Sequence, residues 1–86
     1  LDVIKEVYHD NGKIWWRGSY YKGVYNGSYE SYFDNGQLHR KGSYKNKRKE
    51  GVWETYCENG QLYEKYLYNE IEDKWLESYY CDGRVR

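Results

Sequence analysis

The sequence predicts an all-β protein, an antiparallel meander of about four stacked β-hairpins that form one elongated, twisted sheet. A motif of five residues, Tyr-x-(Asp/Glu)-Asn-Gly, recurs with its glycine at positions 12, 36 and 60, and a degenerate copy ends at Gly83. Asn-Gly between segments rich in tyrosine, tryptophan, valine and isoleucine is a strong hairpin signal. No segment keeps the helical period of about 3.6 residues over three turns. The fixed spacing of the motif therefore indicates a repeat of hairpins.

The elements follow from the positions of these turns. The predicted strands are residues 3–8, 13–21, 27–33, 37–45, 51–57, 61–69, 74–81 and 84–86. Each Asn-Gly is expected to form a type I′ turn, in which both central residues have positive φ. Longer connections are expected between hairpins, at residues 22–26, 46–50 and 70–73. The single domain 1–86 then divides into repeats at approximately 1–26, 27–50, 51–73 and a partial 74–86.

A two-residue turn fixes the register, so cross-strand partners can be counted outward from each Asn-Gly. The count places an acid opposite a base at the same station of three hairpins. These predicted pairs are Glu6–Arg17, Glu30–Lys41 and Glu54–Lys65. Opposite charges directly across a strand pair contribute about 0.2–1 kcal/mol each, so the pairs help to fix the register more than they stabilise the fold.

Side chains alternate along a strand, which sorts the residues onto two faces of the sheet. The ladder face is defined by the acid–base pairs and is expected also to carry Tyr8, Trp15, Tyr32, Tyr56 and Tyr63. The opposite face, here called the core face, is expected to carry Ile14, Tyr29, Phe33, Leu38, Trp53, Cys57, Leu62, Tyr66, Leu76, Tyr80 and Val85. On the core face the ring of Tyr29 is predicted to lie over Gly42.

Composition excludes several classes of function. Fourteen basic and fourteen acidic side chains cancel, so no net charge favours nucleic acid or an anionic membrane. No apolar run approaches the roughly 18 residues of a membrane span. Neither His9 nor His39 is joined by a cluster of cysteine or carboxylate ligands, and no serine or cysteine has a base and an orienting partner. We therefore expect no enzyme, no catalytic or metal-binding residue and no cofactor.

The two cysteines are predicted to be free thiols. Cys57 and Cys81 fall in strands separated by one other strand, which places their backbones about 10 Å apart. A disulfide requires Cα atoms closer than about 7 Å. Free thiols fit a reducing cytosol, and the predicted location is the cytoplasm of a bacterium or of an infected bacterial host.

Two stretches of the chain resemble a known repeat. Residues 51–62 read Gly-Val-Trp-Glu-Thr-Tyr-Cys-Glu-Asn-Gly-Gln-Leu and are similar to the variant MORN repeat, with its pattern Gly-x-Trp-x-x-Tyr-x-x-Asn-Gly-x-Leu. Residues 27–38 form a second good copy with Tyr29 in place of tryptophan, whereas Lys74 and Leu76 depart from the pattern. The resemblance implies stacked hairpins without catalytic residues of their own. Bacterial members are described as antitoxin- or immunity-like, and eukaryotic MORN proteins are linked to membranes and scaffolding.

Tyrosine is the most informative residue type for function, with 13 copies in 86 residues. A single sheet cannot bury both of its faces, so the surplus of aromatic surface predicts a cover, either a partner or a second copy. We interpret the chain as a module that binds another protein, such as a toxin or a defence enzyme, and neutralises it. A homodimer through the apolar face stays open, whereas nucleic acid and membrane are not expected as partners. The alternatives are a scaffold or membrane-associated MORN module and a carbohydrate-binding module.

The predicted binding site combines the ladder face with the basic run that follows the second hairpin. Tyrosine, tryptophan and arginine dominate interface hot spots, and lysines in a loop would steer an acidic partner. The residues predicted to contact the partner are Trp15, Arg17, Tyr32, Lys41, Lys47, Arg48, Lys49, Tyr56, Tyr63 and Lys65. The competing interpretations are cross-strand packing for the aromatic residues and a solvated loop for the basic run.

Overall fold

The computed structural model describes residues 2–69 and 71–82. Seven strands form one antiparallel sheet, in which each strand pairs with the next along the chain. The strands are β1 (Asp2–Tyr8), β2 (Ile14–Tyr21), β3 (Val24–Tyr32), β4 (Leu38–Lys45), β5 (Arg48–Tyr56), β6 (Leu62–Tyr68) and β7 (Lys74–Ser78). The predicted all-β meander is confirmed. The predicted strand at 84–86, with Val85, lies outside the described residues.

The sheet is a single layer. The molecule measures 42 × 41 × 12 Å, and 12 Å is the thickness of one sheet with its side chains. Among the described residues, the buried non-glycine side chains are those of Trp53, Cys57 and Ser31, at 4%, 7% and 7% exposure. Ser31 and Trp53 alternate along β3 and β5 with the acids of the predicted pairs, and Cys57 follows the end of β5 in the same alternation. The small core therefore lies on the predicted core face, where side chains cover one another without a second layer.

The Asn-Gly turns are not the predicted type I′ turns. In the second hairpin, the Gly36 amide donates to the Phe33 carbonyl and the Phe33 amide donates to the Gln37 carbonyl, both at 2.9 Å. Gly36 has a φ of 89°, whereas Asn35 is not among the residues with positive φ. Three residues therefore lie between the paired strands, in a type I turn closed by a left-handed glycine. The first and third hairpins share this hydrogen-bond pattern.

The predicted register of the ion pairs is correct because two deviations cancel. The turn holds one residue more than predicted, and a β-bulge then adds one residue to the second strand. In the second hairpin Tyr32 pairs with Leu38 but Ser31 pairs with Arg40, which leaves His39 as the extra residue. Beyond the bulge, the acid–base partners of all three hairpins are those predicted.

Type I′ turns occur instead at the opposite ends of the strands. Asn46 and Lys47 have φ values of 49° and 75° and join β4 to β5, while Lys22 and Gly23, at 51° and 82°, join β2 to β3. The connections predicted here are therefore too long, since each is a two-residue turn. The backbone twist of a type I′ turn matches that of the flanking strands, so the strands pair up to the turn itself.

Glycines on the core face accommodate aromatic rings from the following hairpin. The Trp53 indole lies directly over Gly42, and a Cβ atom added to Gly42 would overlap the ring. The Tyr29 ring covers Gly18, 3.3 Å from the position that a Cβ would take. The prediction that Tyr29 covers Gly42 is therefore wrong. Tyr29 pairs with both glycines, but its ring leans across the junction between hairpins toward the earlier one.

Asparagine side chains tie each Asn-Gly turn to the next turn. The donor is the Nδ2 group and the acceptor is a backbone carbonyl, in the bonds Asn11–Asp34 at 2.7 Å, Asn35–Glu58 at 3.3 Å and Asn59–Cys81 at 2.9 Å. The Oδ1 atom of each asparagine accepts a hydrogen bond from the backbone two residues later, at 2.8–2.9 Å. The asparagine of the motif is thus satisfied by structural bonds.

The prediction of two free thiols is wrong, because Cys57 and Cys81 form a disulfide bond with their Cα atoms 5.8 Å apart. The expected separation of about 10 Å came from strand spacing, which applies within the paired strands. Both cysteines lie beyond the ends of their strands, where Asn59 bonds one turn to the next. The turns therefore approach each other more closely than the strands that lead into them.

Candidate protein-binding surfaces

The ladder face carries one row of alternating charges that crosses all seven strands. In spatial order the row is Glu6, Arg17, Glu30, Lys41, Glu54, Lys65 and Glu77. Arg17 bridges the carboxylates of two strands at 3.3 and 3.2 Å, and Glu54 bridges two lysines at 3.7 and 3.6 Å. The predicted pairs within hairpins therefore continue between hairpins, and most of these charges are already neutralised by a neighbour.

Tyrosine hydroxyls on the ladder face donate to the acids of the same row. Tyr8 donates to Glu6 at 2.9 Å, and Tyr56 donates to Glu54 at 3.1 Å. Burial and this bond raise the pKa of Tyr56. Nearer the turns, the bulge moves aliphatic residues onto this face, in the pairs Tyr8–Ile14, Tyr32–Leu38 and Tyr56–Leu62. The prediction of these aliphatic residues on the core face is therefore wrong.

The core face carries a continuous set of aromatic contacts. Ring centroids are 4.7 Å apart for Tyr20–Tyr25 and for Tyr25–Tyr44, 5.1 Å for Tyr44–Trp53, 6.5 Å for Trp53–Tyr68 and 4.6 Å for Tyr66–Trp75. The hydrogen bond with Tyr20, followed by burial, raises the pKa of Tyr25 to about 12. Trp53 also donates from its Nε1 atom to the Ser43 carbonyl at 3.0 Å. These rings therefore hold one another in place across the sheet.

The bulge also moves two predicted binding residues from the ladder face to the core face. Trp15 and Tyr63 hold the bulge position that His39 holds in the second hairpin. Trp15 stacks on His9 at 5.4 Å, on the face opposite Tyr8, and Tyr63 lines a cavity next to the disulfide. Their predicted placement is wrong because the alternation of side chains shifts by one residue at a bulge.

The basic run is also divided by the structure. Lys47 lies in the type I′ turn, and Arg48 pairs with Lys45 where β5 begins, so neither belongs to a long loop. Lys49 lies on the core face, with its Nζ atom 5.1 Å from the Trp53 ring centroid and 5.4 Å from that of Tyr68. Burial lowers the pKa of Lys49, and the charge of Arg40 adds to the effect.

The ten predicted binding residues therefore do not form one surface. The residues of this set on the ladder face are Arg17, Tyr32, Lys41, Tyr56 and Lys65. Those on the core face are Trp15, Lys49 and Tyr63, while Lys47 and Arg48 lie at the edge with the type I′ turns. The structure brings Arg17, Lys41 and Lys65 into one charged row, with Tyr32 and Tyr56 on the same face beside it, and leaves the other five apart.

A groove runs over β4, β5 and β6 on the core face. Near the Asn-Gly turns it widens to about 610 Å³ beside the disulfide. Toward Lys49 it continues as a cavity of about 120 Å³, which shares Arg40 and Glu64 with the wider part. Its walls include Trp53, Tyr66 and Tyr68.

Arg40 is the residue of this groove that the sequence reasoning missed. The count from the turn correctly pairs it with Ser31, which is buried on the core face. An arginine on a core face was the available signal, because charged side chains are rarely placed there without a partner. The Nε atom of Arg40 is buried and has no hydrogen-bond partner among the described residues.

Other kinds of site were sought in the same residues. Within residues 2–69 and 71–82, histidine, cysteine and carboxylate side chains form no group of three or more that could hold a metal ion. The same part of the chain contains no helix that is long and apolar enough to cross a membrane. The concave, aromatic-lined groove is therefore the feature of the described structure that most resembles a binding site.

Comparison with protein families identifies the repeat. Two segments match the family model of the MORN repeat variant, residues 25–46 and residues 49–70. They fall on the hairpins β3–β4 and β5–β6 and together cover just over half of the chain. Neither the curated proteins nor the solved structures provided a match. With its stacked hairpins and matching repeats, the chain belongs to the MORN repeat variant family.

Proposed function

We propose that this chain is a protein-binding module that holds its partner against the core face and blocks the partner by covering it. The observation that carries the proposal is the groove in an aromatic face that no second layer covers in the described part of the chain. Half-exposed tyrosine and tryptophan rings supply large contact area with little loss of side-chain entropy.

The difference between the two faces supports this choice of surface. On the ladder face, a partner would have to compete with bonds that the charges and hydroxyls already make with one another. On the core face, the rings lie fixed by mutual contacts and present their free edges, as with Trp75, which is 58% exposed. A preorganised surface loses less entropy on binding, so more of the contact energy appears as affinity.

The nature of the partner follows the same proposal. A thin, rigid sheet suits the occlusion of an active site or a substrate channel, as an antitoxin, an immunity protein or a phage-encoded inhibitor of a defence enzyme would do. The cytoplasm of a bacterium or infected host stays a prediction. It loses the support of free thiols, because disulfides such as Cys57–Cys81 persist mainly in oxidising compartments.

Affinity capture from the source organism tests the proposal, followed by titration of the captured protein's own activity with purified chain. We expect one stoichiometric partner whose activity falls as the chain is added. Replacement of a ring that lines the groove, Tyr68→Ala, should weaken binding about 30-fold or more. The matched ladder-face variant Tyr32→Ala should bind like the parent. Unfolding curves of both variants must show that they are folded at the assay temperature.

Other results would overturn this proposal in different ways. Loss of binding in Tyr32→Ala alone would assign the partner to the ladder face, as the sequence predicted. A partner that binds without losing activity would indicate a scaffold. Retention of oligosaccharides and of no protein would indicate a carbohydrate-binding module using rings such as Trp15, which is 50% exposed.

A further inference from the structure

The groove on the core face has a basic centre. Arg40 and Lys49 both line the 120 Å³ cavity that continues its wider part. Glu64 lines the same cavity, so one carboxylate faces two cations. The ladder face differs, because there acids and bases alternate one to one across the sheet. The cavity therefore holds an excess of positive charge within aromatic walls.

The two cations are placed in an environment that an anion would improve. Arg40 has a buried Nε atom without a hydrogen-bond partner among the described residues, which is costly for a charged group. Lys49 lies over the Trp53 and Tyr68 rings, and in the described structure it forms no ion pair with a carboxylate. Burial and the charge of Arg40 both lower the pKa of Lys49. A bound anion would relieve the repulsion between Arg40 and Lys49.

We propose that the groove binds an acidic, extended segment of the partner protein, with a carboxylate of that segment seated between Arg40 and Lys49. The inference rests on the proposed function and names the chemistry of its partner. The length of the groove favours a segment over a single ion, since its two cavities follow the strands from the Cys57–Cys81 disulfide to Lys49. Apolar side chains of the segment would contact the Tyr68 ring on one side of the carboxylate.

A carboxylate fits this cavity better than a phosphate. Arginine and lysine bind both groups, but Arg40 and Lys49 opposite Glu64 leave the cavity with one uncompensated positive charge, which a single carboxylate neutralises and a dianionic phosphate would exceed. About 120 Å³ accommodates the end of one acidic side chain, while the wider part of about 610 Å³ accommodates its neighbours.

The probe for this proposal is a blocked six-residue peptide of alternating tyrosine and glutamate, with a glutamine-for-glutamate peptide as its neutral match. We expect saturable shifts of the Trp53 indole and Arg40 Nε resonances in amide and side-chain NMR spectra of the labelled protein. The neutral peptide should bind about tenfold more weakly or worse. Added salt should weaken the binding of the acidic peptide and leave the affinity of the neutral peptide unchanged.

Charge-removing variants locate the effect. Arg40→Gln and Lys49→Gln should each lower the affinity for the acidic peptide about fivefold or more. Lys41→Gln removes a lysine from the ladder face of the strand that carries Arg40, and it should leave the affinity unchanged. Lys49→Gln keeps the proposal testable if Arg40→Gln unfolds, because the Lys49 side chain is held by ring contacts alone in the described structure.

Several outcomes would overturn the inference. They are equal binding of the two peptides, an effect of Lys41→Gln in place of Lys49→Gln, and equal shifts with inorganic phosphate at the same concentration. Self-association that Lys49→Gln abolishes would assign the groove to a second copy. If the peptide fails to bind while Tyr68→Ala still releases the captured partner, the inference falls and the proposed function stands. If the peptide binds but no protein partner is retained, the groove recognises acidic segments and the proposed function falls.

Discussion

The two faces of this sheet are built from alternate residues of the same strands, yet their side chains are held by different kinds of interaction. On the ladder face, each charge is placed beside an opposite charge, and tyrosine hydroxyls bond to the acids. On the core face, rings cover glycines and one another, and a groove with two cations stays open. The ladder face is largely satisfied by internal bonds, whereas the core face retains unmet interactions.

This difference shows what a one-layer sheet implies for function. In a two-layer domain the apolar face is hidden, so the core and the binding surface are separate. In a layer 12 Å thick, the face that stabilises the fold is also exposed on its outer side. Trp53 illustrates both roles, since it is 4% exposed over Gly42 and also forms a wall of the groove. Stability and recognition are therefore expected to depend on overlapping residues.

The largest expected effect contrasts one aromatic residue from each face of β5. Trp53→Ala removes a buried indole and should lower the free energy of unfolding by about 3–5 kcal/mol. Tyr56→Ala removes a half-buried ring and one bond to Glu54, so it should cost about 1–2 kcal/mol. Urea denaturation followed by circular dichroism measures both values. Equal losses would show that the two faces contribute equally to stability.

The disulfide is expected to contribute nearly as much. Cys57 and Cys81 are separated by 24 residues, and closing a loop of that size stabilises the folded state by about 3 kcal/mol. The double variant Cys57→Ala/Cys81→Ala should lose this amount in the same denaturation assay. Reduction of the disulfide in the parent protein should likewise move the denaturation midpoint to a lower urea concentration. A parent protein indifferent to reductant would show that the thiols are free in solution.

A smaller effect tests the contact of rings with glycines on the core face. Gly42→Ala places a methyl group inside the volume of the Trp53 indole, so the ring must move, at a cost of about 1–3 kcal/mol. Gly18→Ala is the matched control, because the Tyr29 ring is 3.3 Å from the added carbon and needs to move by only a few tenths of an ångström. The melting temperature should fall more for Gly42→Ala. A larger fall for Gly18→Ala would contradict the packing described for the core face.

The smallest effect belongs to the ladder face. Glu54→Gln removes the charge that bridges Lys41 and Lys65 at 3.7 and 3.6 Å. Partly exposed ion pairs contribute little, so the loss should be about 1 kcal/mol or less and should shrink as salt is added. Denaturation at low and high salt measures it. A loss comparable to that of Trp53→Ala would show that the charged row, and not the aromatic face, stabilises the sheet.

The sequence was sufficient for the fold and for the ion-pair register. The motif spacing marks the hairpins, and the pairing of Glu30 with Lys41 was recoverable because the longer turn and the bulge at His39 cancel. The same cancellation hid the bulge from a count based on register. Residues from the turn up to and including the bulge, such as Leu38 and Tyr63, were therefore assigned to the wrong face.

The disulfide and the groove were not predictable from local pattern. The approach of Cys57 to Cys81 depends on how one turn leans on the next, through the bond from Asn59, and strand counting does not contain that geometry. The groove depends on where the rings lean across the hairpin junctions, as Trp53 does over Gly42. These are tertiary contacts between repeats, whereas the motif specifies contacts within a repeat.

The central claim is that the partner contacts the core face, and oxidative footprinting of the aromatic side chains tests it without any substitution. Hydroxyl radicals modify exposed rings, and mass spectrometry reads each residue with and without the captured partner. We expect the partner to protect Tyr68 and Trp75 and to leave Tyr8 and Tyr32 as reactive as in the free chain. Protection of Tyr8 and Tyr32, with Tyr68 and Trp75 unchanged, would contradict the account and place the partner on the ladder face.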